Sequence, residues 1–188
     1  MCALAVALVH APEALAQEGG QVGVTMGYPQ SIGLVIHMTD RVAVRPEFNF
    51  RHTSNDDDTL ENSSTTLGVG IAGLFYLTKF DALRTYASGR YTYAQTSATL
   101  NPWILAAATF PVGRVPDLDA TTSTWSVSGS FGAQYALHRR FSLFGEVGLS
   151  YSGAELSAST LLALFTPNVE ATTIATTTAA GVIFYLKD

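Results

Sequence analysis

From Gln21 onward, apolar and polar residues alternate with a period of two, and the alternating segments are separated by clusters of turn-forming residues. An amphipathic helix would repeat every 3.6 residues, so the pattern predicts an all-β chain. Eight strands are expected, over residues 20–28, 31–38, 41–53, 65–77, 84–98, 122–137, 141–152 and 172–186. The connections alternate in length. Tight turns fall at Thr39-Asp40, around 79–83 and at 138–140, whereas long polar or irregular stretches occupy 54–64, 99–121 and 153–171. An even strand number with short turns at one end and long loops at the other suits an antiparallel up-and-down transmembrane β-barrel. The exception is Pro29-Gln30, a short connection between two short strands, where Pro29 is a candidate for a bulge.

Alternation alone does not distinguish a soluble barrel from a membrane one, but the residues on the polar face do. Along 41–53 one face carries Arg41, Arg45, Glu47, Asn49 and Arg51, and the other Val42, Val44, Phe48 and Phe50. Along 122–137 the polar face is Thr122, Thr124, Ser126, Ser128, Ser130, Gly132 and Gln134, opposite Trp125, Val127, Phe131 and Tyr135. A soluble sheet presents Lys, Glu and Gln to water; Gly, Ser and Thr suit the crowded inside of a small barrel. The polar face is therefore expected to be the lumen. Leu143, Val147, Leu149, Tyr151, Tyr91 and Tyr93 would then face lipid, with aromatic residues near strand ends as interfacial girdles.

Composition agrees. Only 13% of the 188 residues are charged while 47% are hydrophobic, against roughly 25% charged in ordinary soluble domains. A net charge of −5, with ten scattered basic residues, argues against nucleic acid as a partner. The single cysteine, Cys2, leaves no disulfide framework and no Cys/His metal cluster. Residues 3–16 form a short apolar run ending in Ala14-Leu15-Ala16, a small-x-small cleavage pattern. Because the positively charged start of such a segment is missing, the expectation is a signal peptide over 1–16, truncated at its beginning, followed by a barrel domain over 17–188. No run of about 20 apolar residues follows that would make a helical anchor.

The stretches Tyr28-Pro-Gln-Ser-Ile-Gly-Leu, Thr39-Asp-Arg-Val-Ala-Val-Arg-Pro-Glu, Leu67-Gly-Val-Gly-Ile-Ala-Gly-Leu-Phe-Tyr-Leu, Gly129-Ser-Phe-Gly-Ala-Gln-Tyr and Phe141-Ser-Leu-Phe-Gly-Glu-Val-Gly-Leu-Ser-Tyr resemble the OmpA/OmpX-like outer-membrane β-barrel domain family. The resemblance spans nearly the whole mature chain. It implies the cell outer membrane of a Gram-negative-type envelope, with contact to outer-membrane lipid and lipopolysaccharide. It also implies insertion by the barrel-assembly machinery. The last strand, ending Gly181-Val-Ile-Phe-Tyr-Leu-Lys-Asp, is similar to the family's aromatic-ended assembly strand but runs past Phe184 and Tyr185 to Lys187 and Asp188. Function is less constrained, because the same fold hosts adhesins, lipid-modifying enzymes, narrow channels and structural barrels.

Alternation places Arg45, Glu47, Arg51, Arg90 and Glu146 in the lumen. Charges confined in a narrow tube must pair, so a salt-bridge network is expected, acting as a structural plug or as a gate. Positive neighbours hold both Glu ionised, which opposes general-acid catalysis. His52, outward beside Ser54, is expected to be interfacial rather than catalytic, and His37 and His138 have no ligand spacing. The acidic run from Asn55 to Glu61 lacks the Gly and the distal Glu of an EF-hand loop; it is read as solvated, with divalent bridging to lipopolysaccharide as the functional alternative. Two apolar loop stretches, 102–112 and 161–167, put Trp103, Ile104, Leu105, Phe110, Leu161, Leu162, Leu164 and Phe165 where water is expected. They are candidates for a contact surface whose partner the sequence does not name, for a mouth that admits small hydrophobic molecules to the barrel wall, or for an inter-loop lid. The combined expectation is a monomeric, non-enzymatic barrel without catalytic, cofactor or metal site. Its role would be structural or in surface interaction; the alternative is a narrow channel or carrier for small or hydrophobic solutes.

Overall fold

The computed structural model describes residues 20–28, 31–57, 60–100, 118–158 and 170–186. They form eight antiparallel strands: β1 (Val22–Tyr28), β2 (Ser31–His37), β3 (Val42–Asp57), β4 (Leu60–Phe80), β5 (Leu83–Leu100), β6 (Leu118–His138), β7 (Phe141–Ala158) and β8 (Glu170–Tyr185). Each strand pairs with its sequence neighbours, and β1 pairs with β8 to close the ring. No helix among the described residues is long and apolar enough to cross a membrane.

Register sets the tilt. Moving around the ring from Thr172 through Gly153, Trp125, Tyr93, Val69, Phe48, Ile32 and Met26 returns to β8 at Val182, ten residues from the start. A stagger of that size inclines the strands by about 40° and leaves an interior that side chains can fill. The inner face is packed by Val35, Ala43, Ala72, Leu74, Tyr76, Tyr86, Phe144, Ile183 and Tyr185, all buried. Outside, an apolar band runs from Leu143 to Tyr151 on β7 and from Leu67 to Leu77 on β4, with large side chains about half exposed. One aromatic girdle is visible where Trp125 packs on Tyr151, ring centroids 5.5 Å apart, with Tyr93 as its cross-strand neighbour on the other side. The short turns at 38–41, 81–82 and 139–140 share the opposite end, which the barrel rule assigns to the periplasm.

The strands on the long-loop side extend further than hydrophobic alternation indicated. The expected loop at 54–64 is largely ladder, with Thr53↔Ser64, Asn55↔Asn62 and Asp57↔Leu60 paired. Likewise β5 reaches Leu100, β6 begins at Leu118, β7 reaches Ala158 and β8 begins at Glu170. Once a strand leaves lipid it has no need of an apolar face, so backbone pairing continues where the pattern stops. On the other side Phe80 belongs to β4, and the turn is carried by Asp81 with φ 46° and by Ala82. The candidate bulge at Pro29 and the segment 1–16 lie outside the described residues.

Candidate functional site: a two-layer plug across the lumen

Inward parity places Arg45 and Glu47 two residues apart on β3, Arg90 on β5, and Glu146 on β7, diametrically opposite β3 in an eight-strand ring. The four side chains close an alternating cycle of charge. Arg45 Nε lies 2.7 Å from Glu47 Oε1 and Arg45 Nη2 2.7 Å from Glu146 Oε1. Arg90 Nη2 donates to Glu146 Oε2 at 2.9 Å, and Arg90 Nε stands 3.4 Å from Glu47 Oε2, an ion-pair contact without hydrogen-bond geometry. Tyr86 OH adds a third donor to Glu146, at 2.9 Å from Oε1. The Arg45 guanidinium is 1% exposed and sits 5.0 Å from the centre of the Phe144 ring. Two cations and two anions cancel, so the cycle bars the lumen without leaving a net buried charge.

A second layer lies toward the periplasmic end. Tyr76 OH donates to Gln134 Oε1 (3.0 Å), Gln134 Nε2 donates to Tyr185 OH (2.9 Å), and that hydroxyl is 3.3 Å from His37 Nε2. The His37 ring stacks on Tyr76 at 5.4 Å, and the Arg84 guanidinium lies 5.7 Å from the Tyr76 ring centre. Tyr76 and Tyr86, with centroids 5.5 Å apart, join the two layers. Aromatic rings and a Gln thus fill the section below the ion pairs.

Of the five residues expected in the lumen network, the structure brings together Arg45, Glu47, Arg90 and Glu146 and leaves out Arg51. Arg51 has inward parity but is exposed and takes part in none of the four ion pairs. Four residues beyond Glu47, it stands roughly 13 Å further along the tilted strand, about 10 Å nearer the long-loop mouth and above the reach of the carboxylates. Sequence parity puts Gln134 on the lumen face and gives His37 no ligand spacing, but it assigns neither of them, nor Tyr76 and Tyr185, to a shared layer. His37 and Tyr185 share a layer only through the β1–β8 closure, which no local pattern reveals. His52 is exposed, its Nδ1 2.9 Å from Thr65 Oγ1, the cross-strand neighbour, so no acid–base pair with Ser54 forms there. Among the described residues no cluster of His, Cys, Asp or Glu is arranged to hold a metal. Trp103, Ile104, Leu105, Phe110, Leu161, Leu162, Leu164 and Phe165 lie outside the described residues, as do the side chains of the acidic run.

The Tyr86 ring is seated on Gly132: a Cβ there would lie 2.5 Å from Tyr86 Cζ. Gly132→Val is expected to evict Tyr86 from Glu146 and cost about 1–3 kcal/mol, checked by urea unfolding of the vesicle-inserted barrel. Gly129→Val, where a Cβ meets nothing within 4 Å, serves as the tolerated control.

Comparison with known proteins agrees with this architecture. The family model described as an outer membrane protein beta-barrel domain matches residues 1–177. A major outer membrane protein from Thermus thermophilus superimposes with TM-score 0.53 at 10% identity, over 88% of this chain and 98% of that one. Acinetobacter baumannii CarO2 aligns with TM-score 0.43 at 13% identity, over 88% of this chain and 97% of that one. No curated protein sequence matches the chain. Family match and closed eight-strand ring together make this chain a member of the outer membrane protein beta-barrel domain family, resident in the outer membrane.

Proposed function

We propose that the chain is a closed barrel with a structural or surface-interaction role in the outer membrane, and neither a channel nor an enzyme. The observation that carries this reading is the Arg45–Glu47–Arg90–Glu146 cycle spanning the lumen from β3 to β7, backed by the buried layer of His37, Tyr76, Gln134 and Tyr185. An open pore would leave these groups hydrated and apart. Here Arg45 and Glu146 are almost completely buried, and their pairing favours a seal over a path. A structural role also suits the lumen carboxylates: each is held between two guanidinium groups, with its oxygens engaged by the cycle. Osmotic swelling of vesicles containing the refolded protein tests the reading. Swelling rates with glycine, arabinose or alkyl alcohols should equal those of protein-free vesicles; solute-dependent swelling would establish the narrow channel or carrier in its place.

A further inference from the structure

The barrel wall is not equally tall all round. β1 and β2 are seven residues each, whereas their ring neighbours β8 and β3 have sixteen. Pairing between β1 and β8 stops at Tyr28↔Ala180, and pairing between β2 and β3 stops at Ile32↔Phe48. Above those points, β8 from residue 170 to 179 and β3 from 49 to 57 each have a ladder on one side only among the described residues. The gap between the two free edges is three strand spacings, about 14 Å.

Register locates this notch relative to the membrane. Ala180 lies six residues toward the periplasmic end from Ile174, the partner of the girdle residue Tyr151. With about 2.5 Å of axial rise per residue in a tilted strand, and about 3 Å regained at each step between strands, Tyr28 lies roughly 10 Å below Tyr151. The notch therefore opens inside the outer leaflet. Its outward rim is apolar: Tyr28 is 72% exposed, Ile174 76% and Phe50 56%. Behind it the vestibule is polar. Asn49 and Arg51 on β3 and Thr173 and Thr177 on β8 have inward parity, and Arg90 at the floor keeps 17% side-chain exposure. Arg51 forms no hydrogen bond or ion pair with any described residue, and among the described residues it is the one inward-facing cation above a charge-balanced floor. Open sheet edges do not persist against bare hydrocarbon; they are tolerated where they are buried in protein or line a water-filled cavity, and the inward-facing polar residues here favour the cavity.

We propose that this notch is a lateral window that admits a single-chain amphiphile with an anionic head, its carboxylate or phosphate held by Arg51 in the vestibule and its tail passing between β3 and β8 into the outer leaflet. An anionic head would give Arg51, which has no ion-pair partner among the described residues, a charge-assisted contact that a neutral head does not; a tail without a window would be trapped in a hydroxyl-lined chamber. The inference concerns the wall above the plug and stands whether or not the plug conducts.

The test uses the full chain in phosphatidylcholine vesicles, with Cys2→Ser and a nitroxide on Ala175→Cys, inward-facing on the free edge of β8. Oxygen from the bilayer and a water-soluble nickel complex should both reach this label. A label on Ser126→Cys, inward-facing between two full ladders, should meet only the nickel complex. Dodecanoate and dodecyl phosphate should immobilise the label at 175 saturably, and dodecanol should not. Arg51→Gln should raise the half-saturating amount about tenfold, and Arg51→Lys should restore it. The response should follow the amphiphile's mole fraction in the bilayer. A label at 175 shielded from oxygen would mean that protein, such as the 159–169 segment, fills the notch. That result would overturn the proposal, as would binding indifferent to Arg51→Gln or a response set only by aqueous concentration. Unchanged β-sheet circular dichroism shows that each variant has folded.

Discussion

Glu146→Ala is expected to lower the stability of the inserted barrel by about 3–5 kcal/mol, more than any other single change in the lumen, as read by urea unfolding in vesicles. The carboxylate accepts from Arg45, Arg90 and Tyr86, and Arg45 is 1% exposed with Nη1 already lacking a partner. Removing it leaves two guanidinium groups sharing the single carboxylate of Glu47, a net positive charge in a largely buried site. The double variant Arg45→Met, Glu146→Leu should recover most of the loss, because it removes one whole pair and leaves Arg90 with Glu47. Arg51→Ala should stay within about 0.5 kcal/mol, since its side chain is exposed and outside the cycle.

The outer face carries the second large effect. Val147 is 59% exposed on β7, outward between the short-turn end and the Tyr151 girdle, so Val147→Arg places a charge in hydrocarbon. A loss of about 2–4 kcal/mol is expected, against about 0–1 for Gln95→Arg, exposed beyond Tyr93 on β5. Equal and small losses at both positions, by the same urea titration, would mean that water covers the whole wall.

Much of this architecture is legible in the sequence because a period of two leaves little freedom. Once Arg45 faces inward, so do Ala43, Glu47 and Asn49, and a one-residue slip would turn Phe48 and Phe50 into the lumen. The same parity brings Arg90 and Glu146 to the interior on two other strands. What parity does not supply is height. Arg51 shares the face of Glu47 yet lies above the cycle, and only the ten-residue stagger fixes which inward residues meet. Ladder ends are hidden for a different reason: Thr53, Ser54, Ser63 and Ser64 pair through their backbones, with no apolar alternation to mark a strand. His37 meets Tyr185 across 148 positions of sequence, at the seam where the ring closes. The short first hairpin is visible as the spacing around Pro29, but its consequence, two edges that among the described residues have a ladder on one side only, follows only from register with β3 and β8.

The seal itself is tested most directly by single-channel recording of the refolded protein in a planar bilayer, alongside Glu146→Ala. The expected result is a silent wild-type barrel and a variant that shows discrete openings once the Arg45 and Arg90 contacts to Glu146 are gone; steady conductance in the wild type would contradict a lumen closed by the four-residue cycle.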